Sequence, residues 1–162
     1  MTGAGGLLGW LEATPLSLAM RHSLWMYPIV EIFHIVGFVV LVGSVAMFDL
    51  RVLGLSGSLP VKALGRHLLR WALVSVALVI PAGLMMFSAH PHDFITNRVF
   101  QIKLMLIATA GVNAILFHIG IYRSAGAWDV DAPAPTIAKV QAALSLAIWV
   151  GVISCGRLLA YT

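Results

Sequence analysis

The residues of this 162-residue sequence best suited to chemistry are its six histidines, His22, His34, His67, His90, His92 and His118. A neutral imidazole offers one unprotonated nitrogen, which makes histidine the commonest protein ligand for transition metals. Glu31 and His34 form a Glu-x-x-His pair on one helix face. A di-iron centre needs that pair on two helices and two further carboxylates. Glu31 is the one carboxylate well inside an apolar run, with Asp49 at the edge of that run, so a di-iron centre is excluded. Glu31 is left to orient an imidazole ligand, to neutralise Arg157 or to accept protons beside a quinone. A second constellation, His90-Pro91-His92-Asp93, puts two imidazoles and a carboxylate in one loop with Met85 and Met86 nearby. That set suits copper or zinc, although Pro91 and Asp93 are also ordinary turn residues. Cys155 is the only cysteine, which excludes an intramolecular disulfide and any cysteine-based zinc or iron–sulfur site.

The elements that must position these residues are set by composition. The chain is 60% apolar and 10% charged, against roughly a quarter charged in a soluble protein. A hydrocarbon core about 30 Å thick needs roughly 20 apolar residues at 1.5 Å each. Four segments qualify, at residues 28–50, 61–88, 99–122 and 136–159. The expected fold is all-α: an integral membrane four-helix bundle forming a single transmembrane domain over residues 1–162. Short links at 54–60 and 90–98, and a longer one at 123–135, make successive helices antiparallel. The segment 5–23 is too interrupted to span and reads as interfacial amphipathic helices on the bilayer, with Trp10, Trp25 and Tyr27 at headgroup level. The start does not read as a cleaved signal peptide, since its first cation is Arg21 and Glu12 falls where an apolar core is expected.

Side A denotes the face where the chain enters, and side B the other. Side B collects Arg51, Lys62, Arg66, Arg70, Arg123 and Lys139, and side A collects Arg21, Arg98, Lys103 and Arg157. This excess puts side B in the cytoplasm and both termini in the periplasm of a bacterial inner membrane. The basic residues lie in short blocks between apolar runs, which suits a lipid surface rather than nucleic acid. Antiparallel threading then sorts the histidines by depth: His67 and His118 near side B, His34 and His90 near side A, with His22 or His92 as substitutes for His90. Two ligands from different helices in each of two layers is what two stacked bis-histidine haems b require. The layers would lie on the order of 20 Å apart. Arg51, Arg66, Arg70 and Arg123 on side B, with Arg98, Lys103 and Arg21 on side A, are cations for propionates, and they serve equally as snorkelling anchors.

At about 100° per residue, His67 shares a face with Val74, Leu78, Pro81 and Met85, and His118 one with Ile107, Gly111 and Ala114. His90 falls off the His67 face, so a kink at Pro81 or the helix end must redirect it. Small residues on such helices also serve helix packing, and a membrane histidine is also a common hydrogen-bonded packing residue. Asn113 is expected to bond between helices.

Trp10-Leu11-Glu12 with Pro15, Ser23-Leu24-Trp25, Tyr27-Pro28 and Glu31-x-x-His34 with Gly37 are followed by Gly43, Asp49-Leu50-Arg51 and Leu53-Gly54. Together with Asn97-x-x-Phe100, Lys103 and Asn113, this run resembles a family of short bacterial membrane proteins described mainly as a domain of unknown function. The resemblance extends to about His118 and implies little about activity. In layout the chain is similar to four-helix, two-haem membrane cytochromes b, an analogy of architecture. The leading expectation is an electron-transfer protein linking a periplasmic redox partner to quinone or the opposite face. Its ligands would be His34, His67, His90 and His118, with Glu31, Arg51, Arg70, Arg98 and Arg123 around the cofactor. The alternatives are a metal-handling protein using copper at His90, His92 and Asp93 with a periplasmic metal carrier, and an accessory or scaffold subunit of an oligomer or larger complex. Hydrolase and transferase chemistry is not expected, because no nucleophile–base pair or phosphate loop is present.

Overall fold

The structure, a computed structural model, describes residues 6–161. Gly5, where the amphipathic segment was expected to begin, and the remaining ends of the expected domain lie outside the described residues. Two short helices, α1 (Leu7–Glu12) and α2 (Pro15–His22), precede the long helices α3 (Met26–Leu53) and α4 (Val61–Ala89). A short α5 (Pro91–Thr96) leads into α6 (Arg98–Ile119). A 3-10 segment (Ile121–Trp128) and a loop then reach α7 (Thr136–Leu158), which ends in a 3-10 turn (Leu159–Tyr161). The described residues contain no strand.

α3, α4, α6 and α7 with its final turn are each long and apolar enough to cross a membrane. Their outward surfaces carry Ile32, Val39, Leu73, Leu84, Met105, Ile115 and Val150, all well exposed. Apolar side chains in this density face lipid, and the protein is a multi-pass membrane protein built as an all-α four-helix bundle. The termini of these helices explain their lengths. α3 stops where Gly54 adopts φ 116°, with Leu55 N–H bonded to Leu50 O and Gly54 N–H to Arg51 O. This is a Schellman closure that glycine enters without steric penalty. α6 starts at Asn97, whose side-chain oxygen accepts from the N–H groups of Val99 and Phe100. α4 runs without a break through Pro81.

α3 packs against α4 on one side and α7 on the other, and α7 packs against α6. α4 and α6 do not pack along their lengths. Aromatic contacts bridge them only near the ends. At side A, Phe87 of α4 stacks on Phe100 of α6 with ring centroids 5.8 Å apart. At side B, Tyr122 lies over Gly65 of α4 and packs on Phe48 and Phe117. A Cβ at Gly65 would stand 2.5 Å from Tyr122 Oη and 3.1 Å from Phe48 Cε2. Gly65→Ala should therefore cost about 1–3 kcal/mol by overpacking, read as a lower thermal unfolding midpoint in detergent.

The N-terminal helices differ from expectation in one respect. They carry exposed apolar residues, Leu7, Trp10, Leu16 and Leu18, as interfacial helices do. Yet α2 also docks on the bundle: Ser17 Oγ donates to Ser88 O at 2.6 Å, and Arg21 donates to Ala89 O and Glu12 O. Carbonyls at a helix C-terminus have no partner within the helix, so α2 completes the end of α4. At its other end α4 receives Asp129, whose backbone oxygen accepts from Val61 N–H and whose Oδ1 accepts from Lys62 N–H at 2.8 Å.

Candidate functional site

Two of the histidines are held in a defined orientation. His34 reaches from α3 to α4, with Nδ1 3.0 Å from Val79 O, and its ring lies against Gly83. His118 places Nδ1 2.8 Å from Ala114 O, with its ring against Phe117 and Tyr122. A carbonyl only accepts, so in both residues Nδ1 carries a proton, and in a neutral ring Nε2 is then the bare nitrogen. This is the arrangement in which a backbone carbonyl orients an imidazole ligand.

The other two proposed ligands stand apart from these. His67 lies two residues beyond Gly65, about 200° round α4, on an exposed face. Gly65 faces Phe48 and Tyr122, and through Tyr122 the His118 ring, so His67 points away from that cluster. His90 closes α4 with its side chain 53% exposed and turned to Asp93, Nδ1 to Oδ2 3.8 Å. Gly83, beside the His34 ring, precedes His90 by about 10 Å along α4. The structure thus fixes one oriented imidazole towards each end and brings neither into contact with its expected mate. The faces expected to surround them are open: Val74, Leu78 and Pro81 on α4 are exposed, as are Ile107, Gly111 and Ala114 on α6.

Several charged candidates occupy places other than those expected. Glu31 is exposed. His34 is oriented by Val79 rather than by Glu31, and Arg157 pairs with the Tyr161 hydroxyl and ring. Arg51 is 3% exposed and donates to Leu59 O at 2.7 Å, Gly57 O at 2.7 Å and Asp129 O at 3.0 Å. It binds the α3–α4 turn to the later loop, so its role is structural. Arg98 and Arg123 are exposed near helix ends and Arg70 is exposed in the third turn of α4, while Lys103 lies partly buried towards Gly156 of α7. His92 and Asp93 are exposed on α5, and His22 is exposed at the end of α2. Among the described residues no three His, Cys, Asp or Glu converge on a point that could hold a metal ion.

Two participants are not singled out by the sequence. Tyr122 is half-buried beside His118, and burial pushes its hydroxyl above the usual range, with Arg66 opposing the shift and Asp129 adding to it. The unfolded chain then loses this proton first, near pH 10. The Tyr122 share of stability is present below that pH and is lost as pH rises further. Tyr122→Phe should flatten this alkaline fall in a pH series of melting temperatures. The second is Asp49, which is buried and contacts Ser145. Asn113 Nδ2 donates to Gln141 O at 3.1 Å. That last bond is the interhelical link expected of Asn113. In comparison with known proteins, the chain matches no family model, no curated protein sequence and no solved structure.

Proposed function

We propose that this protein moves electrons within the membrane on haem b held by its histidines. The observation that carries the reading is the shared geometry of His34 and His118, each bonded through Nδ1–H to a backbone carbonyl, which leaves Nε2 as the ligating nitrogen of the neutral ring. His118 is the better supported axial ligand. It sits at the end of α6, beside the side of the bundle where α4 and α6 stand apart. His67, at a similar height but on the far face of α4, would supply the second ligand only with a rotation of α4 about its axis. Near side A, His34 would keep its bond to Val79 and offer Nε2, and His90 would leave Asp93 to form the other pair. When bound, haem supplies a one-electron couple whose potential depends on axial ligation and burial. The protein's own contribution is to orient the imidazoles and to surround the ring edge with apolar side chains. Arg70 and Arg123 serve propionates near side B, and Arg98 and Lys103 serve near side A. The orientation in a bacterial inner membrane, with termini in the periplasm, and exchange with quinone or a periplasmic redox protein belong to this same proposal.

The test is the reduced-minus-oxidised absorption spectrum of protein purified from cells able to make haem. Haem b bands are expected, and a colourless protein would sink the reading.

A second reading, a subunit of a larger membrane assembly, is favoured by α6. It packs along its length on α7 alone and exposes Ala108 and Gly111 on its outer surface. Small residues let another helix approach closely. A monomeric mass for the purified protein in mild detergent, with no co-purifying chain, would count against it.

A further inference from the structure

The side B half of the bundle encloses a carboxyl group with part of its hydrogen-bonding capacity unmet. Asp49 lies on α3, 7% exposed. Ser145 of α7 lies within reach of it as a donor, while Oδ2 has no partner. Among the described residues, the one other buried side-chain atom without a partner is Gln141 Oε1. Gln141 precedes Ser145 by one turn and shares its face of α7. Asn113 of α6 binds the backbone of that same turn. Three helices therefore meet at one acid and three uncharged polar side chains, next to the apolar cluster of Phe48, Val52, Ala138 and Ala142.

No cation neutralises this acid. Arg51, two residues along α3, is directed at Leu59, Gly57 and Asp129. Lys139 lies in the first turn of α7, and His118 of α6 is bonded to Ala114. On α4, Arg66, His67 and Arg70 are exposed, as is Arg123 of the 3-10 segment. The one ion pair among the described residues, His90 with Asp93, is at the opposite end. An ionised carboxylate here would have one hydrogen-bonding side chain and no counter-charge in a dry interior, which is a costly state. What the site lacks is a donor, since both unfilled atoms are acceptors.

We propose that Asp49 is a proton-binding site inside the membrane. The carboxylate takes up one proton at Oδ2 and becomes a neutral acid, its other oxygen held by Ser145. One turn before Ser145 on α7, Gln141 Oε1 is the other buried acceptor without a partner. The proton enters and leaves at side B, because α3 ends at Leu53, about 6 Å beyond Asp49. The site is independent of any haem and is measurable on colourless protein.

Infrared spectroscopy of the whole protein in detergent or lipid tests this directly. Near neutral pH the spectrum should contain a protonated carboxyl C=O band that shifts in deuterium oxide and is missing from Asp49→Asn. Asparagine resembles the neutral acid in shape and charge, so the variant should keep its fold. Should it fail to fold, Ser145→Ala provides the second measurement, moving the acid band to higher frequency by removing a hydrogen bond. Only carboxylate bands in the difference between wild type and Asp49→Asn, or no response of an acid band to Ser145→Ala, would overturn the proposal. So would loss of the acid band with a higher melting temperature when choline chloride is replaced by sodium chloride, because a metal ion would then be the ligand.

Discussion

Arg51→Met is expected to lower the unfolding free energy by about 3 kcal/mol, making it among the most damaging single changes outside the helix seams. The guanidinium is almost fully buried and donates to three backbone carbonyls, those of Leu59, Gly57 and Asp129. Removing it leaves those acceptors without their donor, at about 1–3 kcal/mol for each group that water cannot reach. The turn at Gly57–Leu59 lies near a membrane face, so water recovers part of the loss and the sum falls below the maximum. Arg51→Lys should restore only a fraction. One ammonium on a flexible stem does not reproduce a planar fork reaching both the α3–α4 turn and the Asp129 loop. Unfolding monitored by circular dichroism during titration with a denaturing detergent would give the differences. A wild-type stability for Arg51→Met would mean that these bonds are not formed in the membrane.

The second large effect concerns haem. On the proposed reading, His118→Ala should remove the haem near side B and leave that near side A, halving the haem-to-protein ratio. His67→Ala should remove the same haem, and His34→Ala the other. Ala114 contributes only its backbone oxygen to orienting His118, so its side chain can change without touching the bond. Ala114→Ser is the appropriate control and should leave the ratio unchanged. Full haem content in His118→Ala would eliminate that residue as a ligand, whatever its tautomer. The pair His118→Ala and Gly65→Ala separates ligation from packing, because Gly65 meets Tyr122 and Phe48 rather than a metal.

The bundle was legible because crossing a bilayer imposes a length and a composition on each helix, and the apolar runs satisfy both. Depth was legible too, since counting residues from a helix end gives height. The direction in which a side chain points was not. His67 and His118 share a height, but azimuth is set by which side of α4 receives α3, and Gly65, the position where Phe48 and Tyr122 close in, lies on the far side from His67. By sequence Asp49 stands at the edge of the first apolar run and Arg51 just beyond it as a side B cation. α3 continues to Leu53, and both side chains lie on its buried surface. The docking of α2 was hidden for a different reason. Its apolar pattern fits a lipid surface, while the contacts that place it, Ser17 and Arg21 on the end carbonyls of α4, join polar groups far apart in the chain.

The two ends of α4 carry a consequence for how the chain is made. Its N-terminal amides bond to Asp129, and its C-terminal carbonyls receive Ser17 and Arg21 from α2. The ribosome releases α2 long before Ser88 exists, and releases Val61 long before Asp129. During synthesis the helical hairpin of α3 and α4 must therefore enter the membrane with provisional ends. One end is closed backwards in sequence as soon as α4 is complete, and the other forwards only after α6 has crossed. Membrane insertion and final assembly are separate events for this helix, and the second waits for the third crossing.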